Sequence, residues 1–287
     1  MPTRRNFLKS GAALLAAGLA ADAAIFEPDY PRLVRVDMPL QRLPEAWNGL
    51  RIVQLSDFHY DPVFSVHPIR KAVEIVQSLK PDLVMLTGDF ITDTTYSRKL
   101  ISDKRTGLDV QLCAELLGSL QSRLGSYAIL GNHDVRFNAN IVIEALESLG
   151  IRVLRNSALA LEQNNSRLWL TGIDDALEGA PDLVKIFKSL PKDELTIMLA
   201  HEPDFALETA KYNVDLQLSG HSHGGQIRIP LIGALYLPEL AHTYPRGFYE
   251  IGNMKLYTNV GLGTITVPFR FDCPPEITLF TLGKTSN

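Results

Sequence analysis

Only two of the 287 residues are cysteines, Cys113 and Cys273, too few for a disulfide framework or a Cys-based zinc site. Basic charge is scarce as well. Lys and Arg total 28 against 32 Asp and Glu, a net charge of −4, so no global positive field exists to hold nucleic acid through its phosphates. Past the first two dozen residues no apolar run approaches the roughly 20 residues that a membrane span needs. Repeats and low-complexity tracts are missing too. With 46% hydrophobic residues, what remains is an ordinary globular chain able to bury one large core.

The amino terminus reads as an export signal. Thr3-Arg4-Arg5-Asn6-Phe7-Leu8-Lys9 precedes an Ala- and Leu-rich stretch from Gly11 to Ala21, and Ala21-Asp22-Ala23 offers a cleavage site; this is the twin-arginine pattern. The expected organisation is a signal peptide over 1–23, a lead segment over 24–47 and a single domain over 48–287. The expected partner is the twin-arginine export machinery, which carries chains already folded and so suits a protein that acquires a metal or other group in the cytoplasm. The expected location is the periplasm, the cell wall or the outer face of the cytoplasmic membrane, with an uncleaved signal as a tether.

Apolar runs short enough for buried strands recur at Leu50–Leu55, Leu83–Leu86, Ser126–Leu130, Leu168–Thr171, Leu195–Ala200 and Val214–Leu218. Helical periods lie between them: Ile69, Val73, Val76 and Leu79, closed by Pro81; Val110, Leu117 and Leu120; Ile141, Ala145 and Leu149. The alternation predicts a layered α/β fold with central β-sheets flanked by helices. From Gln226 to Leu282 the helical period fades and mostly strands are expected.

Polar motifs stand where those strands end. Ser56-Asp57-Phe58-His59 follows the first, Gly88-Asp89-Phe90 the second and Gly131-Asn132-His133-Asp134 the third; His201-Glu202-Pro203 and Gly220-His221-Ser222-His223-Gly224-Gly225 follow two later ones. In open α/β sheets the carboxyl ends of strands meet at one crevice, so these blocks are expected to gather. Five of the seven histidines fall in them, and imidazole with carboxylate suits first-row divalent metals. On extended segments Asp57 and His59 share a side, as do His221 and His223, so each pair is expected to grip metal.

These blocks, in this order, resemble the calcineurin-like metallophosphoesterases over roughly residues 48–282, and within that family an exported, YkuE- and YaeI-like bacterial phosphodiesterase branch. The branch likeness rests on Gly220 to Gln226, Gly261-Leu262-Gly263 and Pro274-Pro275-Glu276-Ile277. Val260 departs from it, since relatives often carry Arg there. The resemblance implies that Asp57, His59 and His223 bind one divalent ion, that Asn132, His201 and His221 bind a second, and that Asp89 bridges them. The ions are expected to be manganese, zinc or iron. His133 resembles the family's catalytic histidine, with Asp134 orienting it. Two such ions clamp a phosphate ester and lower the pKa of a water, making a metal-bound hydroxide the nucleophile.

The expected activity is hydrolysis of a phosphate mono-, di- or pyrophosphate ester, with the diester favoured and a lipid-linked substrate or membrane association in view. No nucleic-acid partner is expected. The competing reading is a non-catalytic interaction module on the same fold. His67 and His242 match no block and read as surface or capping residues, Asp61 and Asp93 are left outside the site, and both cysteines read as buried filler. The apolar stretch 227–237 reads either as a buried strand with a packed turn or as the border of an acyl pocket.

Overall fold

Alternate side chains of the short apolar strands divide between two cores. In β2 (Arg51–Leu55) and β3 (Leu83–Leu86), Ile52, Leu83 and Met85 enter one hydrophobic cluster while Val53, Leu55, Val84 and Leu86 enter another. Period-two alternation makes each strand a wall with two apolar faces, which requires material on both sides.

The computed structural model describes residues 20–93 and 103–285 together with positions 6, 10, 13 and 18. The twin-arginine pair Arg4 and Arg5, and most of the segment read as a signal, lie outside the described residues. Two six-stranded sheets form the centre. The first runs β1 (Arg32–Leu40), β14 (Glu276–Lys284), β2, β3, β4 (Ser126–Ala128), β5 (Ile151–Val153). The second runs β12 (Gly247–Ile251), β13 (Met254–Thr258), β9 (Leu216–Ser219), β8 (Leu195–Leu199), β7 (Ser166–Gly172), β6 (Ser157–Gln163). Trp47, Ile52, Met85, Leu170, Ile197 and Phe280 are among the side chains sealed between the sheets.

Helices α1 (Val66–Leu79), α2 (Asp103–Gly118) and α3 (Asn132–Ser148) cover the outer face of the first sheet through residues such as Ile69, Val76, Leu117 and Leu146. The short α4 (Leu183–Phe187) and α5 (Ala206–Thr209) cover the second through Leu183, Ile186 and Ala206, packed with Met198 and Leu256. The order helices, sheet, sheet, helices is the layered α/β architecture that the alternation implied. α1 stops where Pro81 required, at a left-handed Lys80.

The lead segment is woven into this body: β1 pairs in parallel with β14 along nine positions, Arg32 with Glu276 to Leu40 with Lys284, and Trp47 is fully buried. Among the described residues no helix is long and apolar enough to cross a membrane. β2 to β5 are mutually parallel, as are β7, β8, β9 and β13. Within each sheet the carboxyl ends of those strands therefore lie along one edge.

Candidate metal centre

The site forms where these two edges meet. Asp57 and His59 follow β2, Asp89 follows β3, and Asn132, His133 and Asp134 follow β4; from the other sheet His201 follows β8, and His221 and His223 follow β9. The blocks gather, but across two sheets instead of in the crevice of one. All nine residues are buried.

Their backbones are unusual. Asp57, His59, Asp89, His221 and His223 all have positive φ, between 39° and 66°, a region that costs non-glycine residues about 1–2 kcal/mol each. This corrects the expectation that Asp57 and His59, or His221 and His223, converge because they are two apart on extended chain: that alternation needs β geometry, and these are left-handed turns. Neighbouring loops hold them in place. Phe58 N and His59 N both donate to Asp89 O, at 2.8 and 3.0 Å, and Gly263 N donates to Asp57 O at 2.7 Å. A Cβ on Gly220 would overlap Ser56 Oγ and Asp57 Oδ2, so only glycine lets the two sheets close here. Arg270, fully buried, donates to the carbonyls of Val260, Gly261, Gly263 and Cys273 and so pins the loop that braces Asp57.

Among the described residues three side-chain groups bring ligand atoms within 4.8 Å of one another: Asp57, His59 and His223; Asp89, His201 and His221; and His59, Asp89 and His133. Asp89 joins them. Its Oδ2 lies 3.4 Å from His59 Nε2 and 3.2 Å from His201 Nε2. His223 Nε2 lies 3.0 Å from His59 Nε2 and 3.4 Å from Asp57 Oδ1.

The outer imidazole nitrogens fix how the rings face. His201 Nδ1 donates to Thr87 O at 2.6 Å and His221 Nε2 to Glu239 O at 2.8 Å. A carbonyl only accepts, so these two nitrogens carry protons and the opposite ones are the positions left for a metal. His59 Nδ1 is occupied by Thr92 Oγ1 at 3.0 Å, which leaves its Nε2 toward Asp89. Among the described residues His223 Nδ1 and Asn132 Oδ1 are buried without a hydrogen-bond partner. Buried polar atoms are rarely left that way. Imidazole nitrogens, carboxylates and an amide oxygen form a donor set that fits a pair of divalent first-row ions.

Burial lowers His59 and His221 to about 3 and pushes His223 well down, which keeps all three neutral. Asp57 is pushed up to about 6 by burial, with Asp89 adding to the rise and His201 opposing it. For Asp89 burial works upward, but His201, His133 and His59 outweigh it and hold the carboxyl well below its usual range. Burial works downward on His201, yet the charge and hydrogen bond of Asp89 raise it well above an ordinary histidine.

His133 stands at the start of α3, edge-on to His59 with ring centroids 4.9 Å apart. Its orientation corrects the expected role of Asp134. That carboxylate accepts from four backbone amides, Gly131 and Asp89 on Oδ2 and Phe90 and Ile91 on Oδ1, which uses all of its lone pairs. The partner of His133 is Asp93, left outside the site by sequence reasoning: its Oδ2 lies 2.6 Å from His133 Nδ1 and also takes Arg136 Nη1 at 3.1 Å. Arg136 in turn reaches Glu178. One signal was available, since His133 and Arg136 are three apart on one helix and face a common neighbour. His67 and His242 stay outside the centre, and Cys113 and Cys273 are buried and unpaired by disulfide.

Comparison with known proteins places this geometry. The family model for calcineurin-like phosphoesterases matches residues 50–225. The chain is 34% identical to YkuE of Bacillus subtilis, described as an uncharacterized metallophosphoesterase, over 99% of both chains. It is 31% identical to the phosphodiesterase YaeI of Escherichia coli over 98% of this chain and 100% of that one. A transmembrane protein with a metallophosphoesterase domain from Danio rerio is 33% identical over 94% of this chain and 62% of its own length. Among solved structures, a 5′-nucleotidase precursor from Thermus thermophilus superimposes with a TM-score of 0.49 at 15% identity, over 81% of this chain and 54% of that one.

Proposed function

The chain belongs to the calcineurin-like phosphoesterase family, and we propose that within it the protein hydrolyses phosphate esters at a two-metal centre, diesters by preference, outside the cytoplasm. The observation that carries this reading is the Asp89 carboxylate, whose Oδ2 faces His59 of one ligand group and His201 of the other. Asp57, His59 and His223 would hold one divalent ion, Asn132, His201 and His221 the other, with Asp89 between. When bound, such ions polarise the phosphoryl group, acidify a water and stabilise the entering and leaving oxygens.

The chain's own residues supply the rest. His133 is the proton donor to the leaving oxygen, and Asp93 holds its Nδ1 and so orients the ring for that transfer. Burial would lower the His133 pKa, but Asp89, and then the hydrogen bond and charge of Asp93, keep it above the ordinary value, which favours the acid form. The amino end of α3 adds a favourable field for an anion at the same place.

The preference for diesters is supported by the likeness to YaeI, which is named a phosphodiesterase. Export by the twin-arginine route is supported by the Arg4-Arg5 pattern and the apolar stretch that follows it. That route and the apolar stretch after His223 are what support an envelope setting and a lipid-linked ester as substrate. Manganese, zinc or iron would each suit the donor set.

The test is elemental analysis of the purified protein together with hydrolysis of a chromogenic phosphodiester and monoester, with and without Mn²⁺, for wild type and Asp89→Ala. About two metals per chain, diester hydrolysis, and loss of both in the variant are expected. Neither metal nor hydrolysis under any metal supply would overturn the reading in favour of a non-catalytic interaction module.

A further inference from the structure

The chain leaves the metal centre at His223 and comes back to it at Glu239, whose carbonyl takes the His221 Nε2 proton. Between them residues 227–238 read Ile-Arg-Ile-Pro-Leu-Ile-Gly-Ala-Leu-Tyr-Leu-Pro, twelve positions without a carboxylate in a chain that has 32. Both sequence-based readings of this stretch required it to be covered or concave. It is instead a protruding hairpin, β10 (Arg228–Ile229) paired with β11 (Gly233–Ala234) apart from both large sheets. At its tip Leu231 is 108% exposed and Ile232 73%, and Tyr236 at its base is 74% exposed.

The apolar surface continues beyond the hairpin. Phe271 bonds through its backbone to Gln226 and Arg228, which sets the partly exposed Phe269 beside the stem. Arg270 N donates to Ala23 O at 3.0 Å, which brings the segment that carries the exposed Phe26 next to the strand of chain that carries Phe269 and Phe271. Scattered exposed apolar residues need no explanation, but a convex, acid-free tip on three hydrogen-bonded segments does.

We propose that this face docks on a lipid bilayer, with Leu231 and Ile232 entering the boundary between headgroups and acyl chains and Tyr236 at headgroup level. A bilayer accepts a protruding apolar tip and an apolar amino-terminal sequence together, and a phenol with one apolar and one wet end suits the interface. The hairpin is bounded at both ends by contacts to His221 and His223, so docking would bring the centre to phosphate esters at the membrane surface. That consequence rests on the hydrolase reading; the docking itself does not.

The experiment uses the full chain carrying Ile232→Cys. Cys113 and Cys273 are buried, so a polarity-sensitive fluorophore labels position 232. On vesicles of phosphatidylcholine and phosphatidylglycerol the label should shift to the blue and be quenched by lipids brominated on the acyl chain. The same label at Val184→Cys, exposed on α4, should not respond. Leu231→Ser with Ile232→Ser should leave hydrolysis of a soluble diester unchanged and slow hydrolysis of a vesicle-borne one by about tenfold or more, the scale of two lost apolar contacts. A label at 232 that stays wet while the protein binds vesicles overturns the proposal. So does a label already shielded before vesicles are added, which would assign the face to a second copy or to the amino-terminal segment. Insertion without hydrolysis by the wild type would overturn the hydrolase reading and leave the docking in place.

Discussion

The Nδ1 of His133 sits 2.6 Å from Oδ2 of Asp93, with both side chains buried and Arg136 closing on the same oxygen from outside. This pair orients the His133 ring and sets when it carries a second proton. Removing the Asp93 charge takes away a force that raises the His133 pKa, so in Asp93→Asn the imidazolium is lost at lower pH. The alkaline limb of the kcat/KM profile should move to lower pH, with kcat at the optimum down roughly 10- to 100-fold, within the usual worth of a positioned acid. A pH-rate profile with an unmoved limb would show that Asp93 does not act through His133.

Asp134 should behave differently. Its carboxylate ties the Gly131 turn to the loop carrying Asp89, and Asp134→Ala strands four buried amides. Each unsatisfied buried donor costs about 1–3 kcal/mol, so the variant should lose at least about 3 kcal/mol in urea unfolding. Asp93→Asn should lose far less, and equal losses would place Asp93 among the structural groups.

Metal binding should release protons at neutral pH. His201 is held protonated by Asp89 after outweighing the effect of burial, and a ligand must give up that proton. Asp57 at about 6 adds a second proton below that pH. Affinity for Mn²⁺ or Zn²⁺ should therefore fall as pH drops through 6, by up to tenfold per pH unit for each proton released. Calorimetry in buffers of different ionisation enthalpy reads the release directly, and a buffer-independent heat would contradict it.

Bracing of Asp57 should be needed for only one of the two ions. Gly220→Ala forces a methyl group into Ser56 and Asp57, and Arg270→Met frees the loop whose Gly263 holds the Asp57 carbonyl. Arg270→Met should drop from about two metals per chain toward one, because the backbone bonds of that loop go to Ser56 and Asp57; Gly220→Ala should weaken both ions, because Gly220 N donates to His201 O and the next residue, His221, donates its N to the Asp57 carboxylate. Elemental analysis after gel filtration measures this. Retention of both ions would mean that the loop is dispensable for binding.

Much of the fold was legible because the strands are short, apolar and separated by periodic helices: Leu83–Leu86 was bounded correctly by its apolar run alone. The lead segment was not, because β1 alternates exposed and half-buried positions and earns its place only by pairing with β14, some 240 residues away. The hairpin after His223 misled for a related reason, since its composition is that of a core strand and exposure is not written in composition.

The sequence by itself determined the set of chemical groups, their order along the chain and their position at strand ends, because residue type and strand period are local properties. It determined nothing about how His133 is oriented, since Asp134 is the neighbour in the chain while Asp93 is the neighbour in space. Only the tertiary structure decided that the ligands come from two sheets, that five of them turn through left-handed backbone, and that Leu231 and Ile232 face outward. Those facts depend on which edges meet and on what is packed behind each loop, and contacts between distant segments are what a one-dimensional pattern does not carry.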